Sequence, residues 1–424
     1  MADLILSNSR LPDGRIADIS IENGVITHIG SSGSGERIDC KNRLCIPAAT
    51  DMHVHIRDGA QSAKEDWTTG TQAAVSGGVA TIVDQPNTIP PMDSVKNFTE
   101  RLALAKEHSF CHFGINGSVT EGADFIGLID AGVLAFGEMF AAPSSYGTAL
   151  TTNVIRASLK TLTEHGMLVT VHAEEVAPGE VNSLAEHSAS RSISGEAKTI
   201  RFVQSLAPAG AKLHFCHVSG VESIDAVLGT FEVAPHHLFL SYEETEPEDT
   251  FWKMNPPLRS KKERLSLWEN FSRIPVVASD HAPHTLTEKS QPFSSAPSGV
   301  PGVETMLPLL MNAVFERKIT LLDVITKTVT NPGRILGLPV PSISVGSRAD
   351  LVVYADAPVK ISGESLHSKC GWTPYEGMPG LFPVTTLVNG IPAWHDGEFT
   401  YGGGQVRTGC QKNISTTDKT AEDK

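Results

Sequence analysis

The sequence predicts an α/β protein: a (β/α)8 TIM-like barrel carrying a small β-sandwich domain formed by both chain ends. Three observations predict it. Short apolar runs alternate with helical patterns eight times through the middle of the chain. Strand-and-turn patterns of a different kind occupy the two ends. The 424 residues are too many for one small domain, yet suit a barrel of roughly 250 residues with a second module.

The first module, residues 1–48, is read from Leu4-Ile5-Leu6 leading to Pro12-Asp13-Gly14, then Ile19-Ser20-Ile21, Asn23-Gly24 and Val25-Ile26-Thr27. Asn-Gly between alternating apolar residues is the strongest short hairpin signal. The barrel, residues 49–346, follows. Its strands are expected at 48–55, 80–83, 111–116, 133–138, 169–173, 213–218, 231–234 and 276–280. Helical patterns lie between them, among others at 67–76, 95–108, 153–165, 196–206, 221–228, 261–271 and 303–315. Apolar strands alternating with helices imply a parallel sheet covered on both faces. An open doubly wound sheet is the competitor, but no glycine-rich phosphate fingerprint follows an early strand. Residues 347–407 return to the strand pattern, with Ala349–Tyr354 and 384–388 followed by Asn389-Gly390. The polar stretch 408–424 reads as a disordered tail.

Composition narrows the function. With 34 basic against 48 acidic residues, the net charge of −14 gives no sign of attraction to nucleic acid or to an anionic membrane. Six cysteines without a C-x-x-C pair suit reduced, buried thiols better than a disulfide framework. No apolar run approaches membrane-spanning length, and Met1-Ala2-Asp3-Leu4 lacks a signal pattern. The expected compartment is the cytoplasm and the expected partner a small-molecule substrate.

The chemistry is expected at the C-terminal ends of the barrel strands. Asp51-Met52-His53-Val54-His55-Ile56-Arg57 closes the first. Side chains two apart on a strand point the same way, so His53 and His55 aim two imidazoles at one spot, as a divalent metal requires. Arg57 continues that face, where a guanidinium can meet a carboxylate bidentately. Asn87 stands at the end of strand two, Glu138 of strand four, His172 of strand five, His217 of strand six and Asp280 of strand eight. Taken singly, each is more readily a structural residue. Four histidines and two carboxylates at one mouth make a metal centre. His214, three residues before His217, is expected on the opposite face against a helix. His281 should point away from the metal, and His236 and His237 could touch substrate.

Together, Asp51–Arg57, Gln85-Pro86-Asn87-Thr88, Cys216-His217-Val218-Ser219, Asn255-Pro256-Pro257-Leu258-Arg259 and Ser279-Asp280-His281-Ala282-Pro283-His284 resemble the class I-like dihydroorotases of the amidohydrolase superfamily. The resemblance implies zinc, one or two ions per subunit. His53, His55 and Asp280 would hold the more buried ion, and His172 and His217 the second. A carbamylated lysine or an aspartate normally bridges the two. Here the strand-four end reads Ala135-Phe136-Gly137-Glu138-Met139, and Glu138 is the stand-in; a mononuclear site is the alternative.

The implied reaction is the reversible cyclisation of N-carbamoyl-L-aspartate to L-dihydroorotate in pyrimidine biosynthesis. Zinc would acidify water and polarise the ring carbonyl, with Asp280 acting as general base and then acid. Arg57, Asn87 and His284 would fix the substrate carboxylate, and Asn255 would read the ring edge. A homodimer, or association with an aspartate transcarbamoylase, is compatible with the resemblance. Two rival readings are another cyclic amidohydrolase, of the hydantoinase or allantoinase kind, and a non-catalytic assembly subunit. The polar segment from His284 to Pro301 is expected to be a mobile rim.

Overall fold

The computed structural model describes residues 2–31, 33–141 and 149–409. Four strands open the chain: β1 (Leu4–Arg10), β2 (Ile16–Glu22), β3 (Val25–Gly30) and β4 (Glu36–Asp39). They form one sheet in the order β3-β2-β1-β4. Asn23 and Gly24, at φ 51° and 75°, turn β2 into β3. Both lie in the left-handed region that Asn-Gly tolerates and a two-residue hairpin requires.

The next strand, β5 (Cys45–Pro47), belongs with strands from the far end of the chain. Eight further strands then build the barrel: β6 (Ala49–Val54), β7 (Val79–Asp84), β8 (His112–Ile115), β9 (Phe136–Phe140), β10 (Leu168–His172), β11 (Lys212–Phe215), β12 (Thr230–Val233) and β13 (Val276–Val277). Each of the eight overlaps its apolar run, with ends that differ by a few residues. The ladders β6-β7-β8 and β9 to β13 are parallel throughout. Parallel bridges Gly117–Phe136 and Val54–His281 join the two sheets, so the ring closes. Strands β6 and β7 are buried along their whole length, as a sheet covered on both faces demands.

Strand four begins later than expected, at Phe136 rather than 133, and the chain kinks at Gly137. Its φ is 109°, and the β9–β10 register shifts at this point. A Cβ there would stand 2.2 Å from the Thr170 carbonyl oxygen, so only glycine fits. Several helices were also not anticipated. Phe125–Ala131 is capped by Asp124, which accepts from Gly127 N, and ends at Gly132 with φ 100°. Leu184–Ser190 is capped by Ser183.

After the barrel come β14 (Leu351–Tyr354), β15 (Val359–Lys360), β16 (Pro379–Gly380), β17 (Pro383–Val388), β18 (Ile391–His395) and β19 (Glu398–Phe399). The second sheet runs β19-β18-β17-β14-β5. Leu6, Ile19 and Ile21 of the first sheet share one buried cluster with Leu351, Val353 and Leu387 of the second. Both chain ends thus contribute to one apolar core.

Residues 347–407 do more than complete this sheet. Between β14 and β17 the chain crosses to the barrel mouth, where Trp372 and Tyr375 pack with Leu240, Met254 and Leu309. There Trp372 Nε1 donates to the His284 carbonyl at 2.8 Å. Beyond β19 the chain passes to the opposite end of the barrel. Phe113 N donates to Gln405 O at 3.1 Å, Arg407 N to Phe113 O at 2.7 Å and Gly409 N to Val133 O at 3.1 Å. The tail expected from 408 lies, from Cys410 onward, outside the described residues. Among the described residues no helix is long and apolar enough to cross a membrane. Cys40, Cys45, Cys111, Cys216 and Cys370 are all buried free thiols.

Candidate active site

The alternation of β6 brings His53 and His55 to one side, with ring centroids 5.2 Å apart. His53 Nδ1 donates to Glu232 Oε1 at 2.5 Å, and His55 Nδ1 donates to Asn87 Oδ1 at 2.7 Å. Burial lowers the pKa of His55, so its Nε2 carries a lone pair. That nitrogen stands 3.3 Å from Asp280 Oδ1. His53 Nε2 stands 3.5 Å from the same oxygen and is buried without a hydrogen-bond partner. Burial opposes a charge on His53 and Glu232 favours it, leaving its pKa above the ordinary value; a metal ion and that proton compete for Nε2.

A second grouping forms around Glu138. Its Oε1 accepts from His172 Nδ1 at 2.7 Å and from His217 Nε2 at 2.8 Å. Its Oε2 faces His53 Nε2 at 3.8 Å. The kink at Gly137 is what turns this carboxylate into the mouth. His172 Nε2 bonds Glu174 Oε2 at 2.7 Å, and Arg191 pairs with the same oxygen. Burial opposes a charge on His172, but Glu138 and then Glu174 outweigh it and hold its pKa at about 10.

Asp280 and His217 both adopt positive φ, 48° and 37°, at the ends of their strands. Such conformations persist only where surrounding contacts impose them, and they concentrate at functional sites. Burial pushes the Asp280 carboxyl up, but the rings of His55, His53 and His217 that face it hold it well below the usual range.

Donor atoms of His53, His55 and Asp280 lie within 4.8 Å of one another, as do those of His53, Glu138 and His217. Both sets are nitrogen and carboxylate oxygen, which suits a borderline divalent ion. A third set, His53, Cys216 and Glu232, meets the same distance. There Glu232 already serves as the carboxylate that orients a ligating histidine.

The cleft in front of these groups is lined by His55, Arg57, Asn87, Glu138, Asn255 and Asp280 among others. Arg57 is buried, 2% exposed, which removes the ordinary surface ion pair as an account of it. Its backbone is held from below. Arg101 donates to the Arg57 carbonyl at 2.9 Å and to Asp84 Oδ2 at 2.5 Å, and Asp84 Oδ1 accepts from Ile56 N at 3.0 Å.

Other candidates stand elsewhere. His284 lies outside the cleft lining: its Nε2 donates to Ser298 O at 3.1 Å, and its Nδ1 accepts from Lys64 Nζ at 3.2 Å. His236 and His237 are buried but likewise do not line the cleft. His214 does not pack on a helix as expected. It bonds Glu232 Oε2 at 3.1 Å and Thr230 Oγ1 at 3.0 Å. His281 does turn aside, its Nδ1 accepting from Gly302 N at 3.1 Å.

The segment expected to form a mobile rim is clipped by two buried ammonium groups. Lys289 Nζ donates to the carbonyls of Lys253, Pro297 and Gly299 at 3.0, 3.1 and 3.1 Å. Lys253 Nζ donates to those of Phe293 and Ala296 at 2.6 and 2.7 Å.

Sequence reasoning missed Glu232 and Glu174. A glutamate inside the apolar run Phe231-Glu232-Val233 was the available signal, since a buried charge demands a partner.

The model of the amidohydrolase family matches residues 44–390. A dihydroorotase of Methanosarcina acetivorans is 38% identical, over 96% of this chain and 97% of that protein. A dihydroorotase of Halobacterium salinarum is 39% identical, over 93% and 97%. Among solved structures, the L-hydantoinase (dihydropyrimidinase) from Arthrobacter aurescens superposes with a TM-score of 0.89 at 26% identity, over 96% of this chain and all of that one.

Proposed function

Since the chain belongs to the amidohydrolase family and is a cyclic amide hydrolase, we propose that it is a zinc-dependent dihydroorotase, interconverting L-dihydroorotate and N-carbamoyl-L-aspartate in pyrimidine biosynthesis. The observation that carries this reading is Arg57, a guanidinium buried in the cleft wall beside the two donor sets. Dihydroorotate has a carboxylate for it to grip, which a plain hydantoin lacks. The curated relatives from Methanosarcina and Halobacterium favour the same choice.

His53, His55 and Asp280 would hold one ion, and His172 and His217 the second, with Glu138 offering one oxygen to each side. The convergence of His172 Nδ1 and His217 Nε2 on Glu138 Oε1, and the unpartnered Nε2 of His53, support that assignment. Zinc, when bound, supplies an acidified water and polarises a carbonyl oxygen.

The remaining work belongs to side chains. Asp280, kept ionised, takes a proton during attack on the ring carbonyl and returns it to the departing ring nitrogen. Arg57 pairs with the substrate carboxylate, and Asn87 is placed beside it to donate from Nδ2, because its Oδ1 is occupied by His55. With Asn255 they hold the ring in one pose before reaction. His284 acts on the carboxylate only by giving up its bond to Ser298 or Lys64.

Arg57→Ala tests the reading. Loss of a bidentate charged contact lowers kcat/KM for dihydroorotate by roughly 10²-fold, while hydrolysis of an uncharged hydantoin is unaffected. Equal rates on dihydroorotate for variant and parent would favour the hydantoinase reading.

A further inference from the structure

Asn255 lines the cleft, and an asparagine amide presents either an acceptor or a donor depending on which way it is turned. Behind it lies His187, on the short helix Leu184–Ser190. His187 is buried, 6% exposed, and Phe293 stands edge-on to it with ring centroids 6.0 Å apart. Its Nε2 lies 2.9 Å from Asn255 Oδ1 and 3.1 Å from the carbonyl oxygen of Met254.

The Met254 carbonyl decides the tautomer. It is an acceptor only, so a bare lone pair on Nε2 would face another lone pair; Nε2 must carry the hydrogen. Burial keeps this imidazole neutral, with its pKa down at about 4, so that hydrogen is the ring's one N–H. Nε2–H then faces Asn255 as a donor, and the Asn255 amide turns its oxygen inward to accept. The amide nitrogen is the end left for the cleft.

We infer that His187 sets the polarity with which Asn255 meets the ligand, so that the cleft donates a hydrogen bond to a carbonyl oxygen on the ring edge. This rests on reading the ligand as a cyclic ureide, whose edge offers both carbonyl oxygens and N–H groups. Asn255 presented the other way would select the N–H. The same device recurs across the cleft, where His55 Nδ1 occupies Asn87 Oδ1 at 2.7 Å. Two neutral amides are thereby fixed as donors. His187 is a positioning residue, since it acts through Asn255.

The test compares parent enzyme, His187→Leu and His187→Gln in dihydroorotate hydrolysis. Leucine removes the donor, and the amide is free to turn. KM rises roughly five- to tenfold, the loss of one oriented hydrogen bond, with kcat within about threefold. Glutamine carries an N–H₂ able to reach the same oxygen and restores KM to within about twofold. A leucine variant with parental KM overturns the inference, as does a glutamine variant no better than leucine at equal melting temperature.

Nitrogen-15 NMR of histidine-labelled parent enzyme, with the His187 signals assigned by their loss in His187→Gln, gives a measurement independent of those variants' activity. A neutral ring protonated at Nε2 is expected, and one protonated at Nδ1 overturns the inference. Parent enzyme that fails to turn over dihydroorotate would instead sink the functional reading, leaving the tautomer to judge His187.

Discussion

Glu138 is where the two groups of potential metal donors meet, one oxygen turned to each. Replacing it with alanine removes the oxygen that His172 and His217 share and the one that faces His53 Nε2 at 3.8 Å. In protein purified with ample zinc, Glu138→Ala is expected to lose at least one ion by elemental analysis and about 10²-fold or more in turnover. Glu232 acts one step behind, through the hydrogen bond it accepts from His53 Nδ1. Glu232→Gln should weaken metal binding by roughly 10- to 100-fold, read by competition with a chelator; unchanged affinity would mean His53 is oriented by something else. Much of this was legible in the sequence, because strand alternation alone places His53 and His55 on one face. Glu232, Glu174 and His187 were not. Each works through a partner on a different segment, and the 68-residue separation of His187 from Asn255 has no periodic trace.

Individual elements explain how the first strand ends in a usable shape. Residues 55 to 58 leave β6 in an irregular path, with Arg57 and Asp58 at φ 61° and 52°. They are held by the buried pair Arg101–Asp84, whose side chains are 5% and 0% exposed. Arg101→Leu strands the Asp84 carboxylate, and breaking such a pair costs about 3–5 kcal/mol. Denaturant unfolding should show that loss, and KM for dihydroorotate should rise, because Arg57 loses the donor to its carbonyl. All eight barrel strands could be located as apolar runs, since burial on both faces leaves no polar alternation to confuse them. Their ends were less clear. Strand four is kinked at Gly137, where a Cβ would meet the Thr170 carbonyl of a neighbouring strand. The unforeseen helix Phe125–Ala131 did carry a capping Asp124 and a terminal Gly132, signals too weak without its burial against the barrel.

At the scale of the molecule, burial of neutral histidines sets the acid limit. His187 and His236 are lowered to about 4 and His284 to about 3, in each case chiefly by burial. Below pH 6.5 the unfolded chain takes up protons that the folded one refuses, so stability falls as pH drops toward 4. Three such groups give a slope on the order of 4 kcal/mol per pH unit at its steepest. His367, raised by its hydrogen bond to Glu304, acts in the other window: its stabilisation is present below pH 6.5 and is lost as pH rises above it. The melting temperature should therefore drop clearly between pH 7 and pH 5, with saturating zinc present; a flat profile would contradict the burial of these rings.

The sandwich core joins Ile19 and Ile21 to Leu351 and Leu387, with the entire barrel encoded between them. During translation the first sheet therefore emerges with its oily side uncovered and stays so until the strands after the barrel have been made. The nascent chain has a natural place for a chaperone to hold, and synthesis stalled in the barrel should yield aggregates rather than a half-built enzyme.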